Sequence, residues 1–297
     1  MKRCVRFLCS ALFLFALLIA SFTFLAAQPS GAEQQTKARS ATNNVPASPG
    51  DSFKIGETLI YEVKFSRLFL RGIDVADMTF NVAGDSQQAP DKIEFKAEAV
   101  SKGGLLKLAS LFAPGDLSFV QKFDSTVQTD NFQILRTVRH DEQNKRIRNS
   151  ETVFDYSARK LVYRETDPNN SMSPPRMITS PLDAPVQDLI SSLYYLRRQP
   201  LAVGKEFIVS LSDSGVVYSI PVKVVAREQQ KSVLGKTWTL RVEPEVFGDK
   251  RPLAGDGRMI IWLTDDARHL PVRAQIQASI GKIEIRLRRA ENLQPTK

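Results

Sequence analysis

Cysteine is nearly absent from this chain of 297 residues: there are two, Cys4 and Cys9, both among the first ten positions. Beyond them no thiol remains, which excludes disulfides, thiolate metal ligands and cysteine nucleophiles from the rest of the chain. Histidine is as scarce, with only His140 and His269. Two are too few for a multi-histidine metal site, and each stands in a stretch that reads as a surface turn, not as part of a triad. No cofactor is indicated. Charge is not strongly of one sign either. Lys and Arg total 41, three of them before residue 28, against 32 Asp and Glu, so the remainder carries +6 with no cluster interleaved with aromatics. That balance gives weak attraction to anionic surfaces at most and argues against a nucleic-acid partner.

What is present begins with a leader. Lys2, Arg3 and Arg6 precede an apolar run from Phe7 to Leu25, followed by small residues at Ala26, Ala27, Ser30, Gly31 and Ala32. These are the three parts of a secretory signal peptide over 1–27, with cleavage after Ala27 or as late as Ala32. The alternative is an uncleaved anchor, since the run approaches the roughly 20 residues that span a bilayer. In both readings the bulk of the chain faces outward. The expected place is the periplasm or outer envelope of a Gram-negative-type bacterium, or the periplasmic face of the inner membrane, with the leader the only membrane contact. Residues 28–52 read as a disordered linker, with Pro29, Pro46 and Pro49 and almost no large apolar residue.

From Phe53 the pattern turns to period two. Leu59, Tyr61, Val63 and Phe65 alternate with polar neighbours, and the same holds over Val75–Val82, Ile93–Val100, Phe132–Tyr163, Phe207–Leu211, Val216–Ala226, Thr237–Val242, Arg258–Leu263, Leu270–Ile280 and Lys282–Arg289. Such alternation marks strands with one buried face. The expectation is a mainly β domain over 53–290, a large antiparallel meander of about a dozen strands curved into a barrel or half-barrel, with 291–297 a tail. One helix is expected over about 183–198, capped by Asp183, with Pro185 in its first turn and Val186, Leu189, Ile190, Leu193 and Leu196 on one face, packed against the concave side. A proline-rich loop, Asp167–Pro181, precedes it. Ile55-Gly56-Glu57 is echoed by Val203-Gly204-Lys205, which suggests two similar halves divided near 167–200.

Several spaced fragments then add up. They are Gly56-Glu57 with Tyr61, Asp188-Leu189 with Ser192, Tyr195, Arg198 and Gly204, and Trp262-Leu263-Thr264-Asp265-Asp266 with Pro271-Val272 and Gly281. Together they resemble the bacterial exported proteins of domain-of-unknown-function family 3108 over most of Phe53–Arg289. More distantly the chain is similar to half-barrel carriers of lipid or lipoprotein in the envelope. The resemblance implies an envelope location and a curved β architecture, and it brings no catalytic residues with it.

The residues themselves offer few sites. Asp265 and Asp266 form a pair that could divide acid and base roles in a hydrolase, or join Asp249 or Asp256 around Ca²⁺. A structural turn is the favoured reading of this pair, since adjacent side chains at a strand end diverge and turn aspartates accept backbone amides. Gly103–Phe112 carries Leu105, Leu106, Leu108, Leu111 and Phe112 at helical spacing, as a short helix or an apolar loop. With Trp238 and Trp262 these five form the candidate lining of an apolar or amphipathic ligand site. The expected role is therefore non-catalytic: an envelope protein that binds a lipid-like or amphipathic ligand. The alternative is a scaffolding or assembly factor that contacts envelope polymers or a protein through Arg273, Lys282, Arg286 and Arg288. A hydrolase using Asp265 and Asp266 comes third.

Overall fold

The computed structural model describes residues 52–84, 91–103, 118–279 and 281–295. The chain runs through β1 (Thr58–Arg67), β2 (Leu70–Ala83), β3 (Lys92–Ser101), β4 (Phe119–Gln128), β5 (Ile134–Gln143), β6 (Arg146–Asp155), β7 (Lys160–Thr166) and β8 (Arg176–Pro181). After these comes α1 (Leu189–Arg197), then β9 (Glu206–Asp213), β10 (Val216–Ser232), β11 (Gly235–Pro244), β12 (Gly257–Thr264), β13 (Pro271–Ala278) and β14 (Gly281–Glu291). All fourteen strands lie in one antiparallel sheet, in the order β8-β7-β6-β5-β4-β3-β2-β1-β14-β13-β12-β11-β10-β9. The first strand therefore pairs with the last in the middle of the sheet, Val63 opposite Ile285. The chain leaves by one flank, crosses the interior through α1, and returns by the other. The sheet is curved and unclosed.

Alternation explains the curvature. Leu59, Tyr61, Val63 and Phe65 on β1, Phe95 and Ala97 on β3, and Ile283, Ile285 and Leu287 on β14 all turn inward and are buried. They join one apolar cluster with Tyr194 and Ile190 of α1. A second cluster is built from β9–β12, around Val209, Leu211, Val222, Val242 and Leu263.

The two edge strands meet without a ladder. Gln187 donates its N–H to Ser210 O at 2.9 Å and accepts from Ser212 N at 2.7 Å, so the segment before α1 runs along β9. At the β9–β10 turn, Gly215 has φ +84, and a Cβ there would stand 2.9 Å from the Cβ atoms of Tyr163 and Ile178 on β7 and β8. Ser180 Oγ donates to Gly215 O at 2.6 Å. The open seam is thus spanned by one hydrogen bond and one close glycine contact, while the segment before α1 makes a parallel bridge to β9.

Three elements differ from the sequence reading. The helix is capped by Asp188, not Asp183, and starts at Leu189, because the pairing of Gln187 with β9 keeps the preceding residues extended. A strand, β8, forms inside the proline-rich stretch. It is an edge strand with Pro181 at its last position, where a missing N–H is tolerated. β4 had no clear apolar alternation because its inward face includes Gln121 and Ser125. The echoed triplets do adopt one geometry. Gly56 (φ +89) and Gly204 (φ +87) each donate to the strand opposite, Val82 O and Val224 O, and the next residue's carbonyl accepts the return bond from Val82 N or Val224 N. No helix among the described residues is long and apolar enough to cross a membrane.

Gly215→Val combines a left-handed backbone with a seam that has no room for a side chain. It is expected to cost roughly 1–3 kcal/mol, read as a lower denaturant midpoint at unchanged m-value. An unchanged midpoint would show that the seam tolerates a side chain there.

Candidate functional site

The concavity is organised by α1, and α1 is held at both ends. At its start the Asp188 side chain is buried. One oxygen accepts Ile190 N at 3.0 Å and Ser191 N at 2.7 Å, and Ser191 Oγ accepts the Asp188 N–H in return, completing a capping box. The other oxygen accepts the hydroxyls of Ser125 on β4 and of Thr137 on β5, the latter at 2.6 Å. The helix N-terminus is thereby fastened to the inner wall, with its carboxylate where the helix dipole favours an anion.

At the other end Arg197 and Glu57 form a fully buried ion pair. Arg197 Nη1 and Nη2 reach the two Glu57 oxygens at 2.5 and 2.9 Å. The guanidinium also donates to Ser52 O at 2.6 Å and Arg268 O at 3.1 Å, so the cation is hydrogen-bonded beyond its ion pair. Between these anchors Tyr194 stacks on Phe95 at 4.0 Å between centroids, and Phe53 meets both rings edge-on. Burial pushes the Tyr194 phenol well above its ordinary value. His269 Nδ1 donates to Arg197 O at 2.8 Å, and burial holds its imidazole below the ordinary 6.5.

Two different interiors lie on either side of α1. Toward β9–β13 and the centre of the sheet is an apolar cavity of about 180 Å³. Its wall includes Leu193, Leu211, Ile220, Met259, Ile261 and Ala274. An apolar cavity of roughly 150 Å³ is enough to take up a benzene-sized molecule. Toward β4–β7 the inner face is polar. Arg139 is buried, 3.6 Å from Asp141 and 3.9 Å from Asp213, with its guanidinium over the Phe123 ring. Gln121 Nε2 donates to Asp141 at 2.9 Å. Burial raises the Asp213 carboxyl above the usual range against the opposing pull of Arg139. Leu189 borders both regions.

Leu105, Leu106, Leu108, Leu111 and Phe112 lie outside the described residues. Neither tryptophan lines the apolar cavity. Trp262 alternates with Ile261 and Leu263 and so faces the opposite side of β12. There it is buried beneath Arg273, and its Nε1 donates to Glu228. Trp238 is 44% exposed under the Arg227 guanidinium, which also pairs with Asp265. Asp266 has its own partners: Thr264 Oγ1 at 2.8 Å, Arg268 N at 3.0 Å and the Arg268 guanidinium at 2.6 Å. Burial raises its carboxyl, but these hydrogen bonds outweigh burial and leave it below the ordinary range. The two aspartates thus have separate arginines. Among the described residues no three His, Cys, Asp or Glu side chains converge where a metal could sit. Ser192 borders the cavity but donates to Leu189 O at 2.9 Å.

A curved, unclosed antiparallel meander with a helix pinned in its concavity places this protein among the barrel-like β proteins. A β-barrel-like protein of domain of unknown function DUF1849 from Brucella abortus shares that architecture, with TM-score 0.51 and 12% identity over 80% of this chain and 97% of that one. The chain belongs to the family described as protein of unknown function DUF3108, whose profile matches residues 60–288. Two further structures resemble it too loosely to carry an argument. One is described as an exported protein with a YmcC-like fold from Bacteroides fragilis (TM-score 0.35, 9% identity, 82% and 98% coverage). The other is described as a lipoprotein from Parabacteroides distasonis (TM-score 0.29, 10% identity, 81% and 97% coverage). No curated protein matches the chain.

Arg197→Leu leaves Glu57 charged and buried, with an expected cost of about 3–5 kcal/mol. The double change Glu57→Met with Arg197→Leu is expected to restore most of it, measured in a double-mutant cycle of urea midpoints. A loss in the double variant equal to the sum of the two single losses would show that the pair does not act as a unit. For His269 the sign follows from its lowered value. Protonation is disfavoured in the fold, so its contribution is complete above 6.5 and is lost as pH falls through the lower folded value. Stability measured from about pH 7 to about pH 5 is therefore expected to fall more steeply in the wild type than in His269→Asn. Parallel curves would sink this assignment.

Proposed function

We propose that this protein is an exported, non-catalytic binding protein of the bacterial envelope whose ligand is apolar or amphipathic. The observation that carries the proposal is the apolar cavity of about 180 Å³ between α1 and the sheet. Its walls belong to both hydrophobic clusters, so it sits where a core would otherwise be continuous. The buried polar strip around Arg139 and Asp213, across Leu189 from the cavity, favours a ligand with a polar end over a pure hydrocarbon. Export is supported by the basic, apolar and small-residue succession of the first 32 residues.

The scaffolding alternative weighs less. Arg273, Lys282 and Arg286 all converge on Glu284, and Arg288 shares Glu62 with Lys64. The outer face of the last strands is an ion-paired network, with less free positive charge than its composition suggests.

Ala274 faces the cavity from the middle of β13, opposite Ile261 and Ile285. Ala274→Phe fills the space from inside. It is expected to reduce displacement of a fluorescent acyl probe, and retention of any co-purified mass in native mass spectrometry, by at least about tenfold, with the melting temperature held or raised. Undiminished binding in a folded Ala274→Phe protein would remove the cavity from the account. A wild type that binds no acyl probe and carries no added mass would remove the ligand.

A further inference from the structure

β1 begins beside the Glu57–Arg197 pair, and its ten residues carry the chain about 33 Å away before it turns back into β2. At that far end Arg67 pairs with Leu70, so the turn consists of Leu68 and Phe69 alone. Both side chains stand out in solvent, 81% and 80% exposed. Two-residue hairpin turns ordinarily place Asn, Asp or Gly where φ is positive, because a side chain there is strained. Here Leu68 occupies such a position, at φ +50. Stability explains neither the exposure of two large apolar residues nor the backbone strain beneath one of them, and such strain in native proteins gathers at functional positions.

The charge around the tip has one sign. Arg67 and Arg71 flank the pair, and among the described residues neither has an ion-pair partner. Ser66, next to Arg67, lies opposite Lys282 of β14. The nearest acid on β2, Asp74, faces Lys64 at 3.8 Å. An apolar and aromatic point with a collar of unpaired arginines matches the interface of an anionic bilayer. There the apolar side chains enter the acyl boundary while the guanidinium groups stay at the phosphates.

We infer that the β1–β2 tip is a membrane-docking element for anionic phospholipid surfaces, separate from the leader. The inference goes beyond the binding role proposed above and does not require it, since a tip at the far end from α1 docks whether or not the cavity holds a ligand. A protein partner for the tip is the competing occupant, and the one-signed collar argues against an apolar protein groove of ordinary composition.

The test compares the full chain with its Leu68→Ser/Phe69→Ser variant by flotation with vesicles of phosphatidylethanolamine and phosphatidylglycerol, and with vesicles of phosphatidylcholine alone. Both proteins carry the same leader, so the difference reports the tip. The wild type is expected to float with the anionic vesicles, less so at high salt. The double variant is expected to bind at least about tenfold more weakly, with an unchanged melting temperature and unchanged binding of acyl probe in the cavity. In a Phe69→Trp protein, emission is expected to shift to the blue on adding anionic vesicles and to be quenched by brominated acyl chains. Equal flotation of wild type and double variant, no flotation of either, or an unmoved emission from the Phe69→Trp protein would each overturn the inference. Loss of probe binding with intact flotation would instead count against the cavity alone.

Discussion

The structure depends on one constraint: a nine-residue helix must be held inside a sheet that is too wide to close around it unaided. Fourteen strands enclose more space than side chains on one face can fill. The element that fills part of it is α1, fixed by a carboxylate at its start and a buried ion pair at its end. Neither anchor is strong in net free energy, since burying Arg197 and Glu57 costs much of what their attraction returns. Their effect is positional. Asp188 ties the helix to β4 and β5, and Arg197 ties it to the start of β1, so register and direction are fixed on both flanks. The stack of Tyr194 on Phe95 then has a single geometry available to it.

Much of this was legible in the sequence because the inner faces of β1, β3 and β14 alternate cleanly. The antiparallel meander and its curvature follow from that alternation and from the absence of a regular strand–helix repeat, and the interior helix from the apolar spacing of Leu189, Ile190, Leu193 and Leu196. What was hidden is hidden for a common reason. On β4 the inward positions include Gln121 and Ser125, which read as solvent-facing until their partners, Asp141 and Asp188, are known. Pro185 and Asp183 imitate a helix start. The true cap is five residues later because Gln187 is held extended along β9, a contact made only in the folded chain.

The site was less legible than the fold. Tryptophans stand out in a sequence with only two of them, yet one is sealed beneath Arg273 and the other rests under Arg227 on the surface. The cavity wall is made mostly of ordinary apolar residues from strands far apart in the chain, Tyr61 and Met78 at one extreme and Ile285 at the other. They meet because β14 returns to pair with β1, and no local pattern announces that pairing. Two of the fragments that carried the resemblance were better guides. Gly56-Glu57 and Asp188-Leu189 mark the two anchors of the helix, although the cation at the second anchor is Arg197 and not its neighbour Arg198, which lies over the Phe132 ring.

The echo between Gly56-Glu57 and Gly204-Lys205 sharpens the asymmetry of the interior. Each triplet makes the same turn and the same pair of backbone bonds. After the first glycine comes an acid that turns in to meet Arg197; after the second comes an exposed lysine. The two turns are thus alike, while the interior is divided between a polar strip behind β4–β7 and an apolar hollow before β9–β13. Left dry and empty, an apolar hollow of about 180 Å³ would cost on the order of 4 kcal/mol, a large share of a domain's stability. Larger side chains at positions such as Ala274 would remove that cost without disturbing either anchor. Under the binding role proposed above, the hollow is space kept for an occupant and not a flaw in packing.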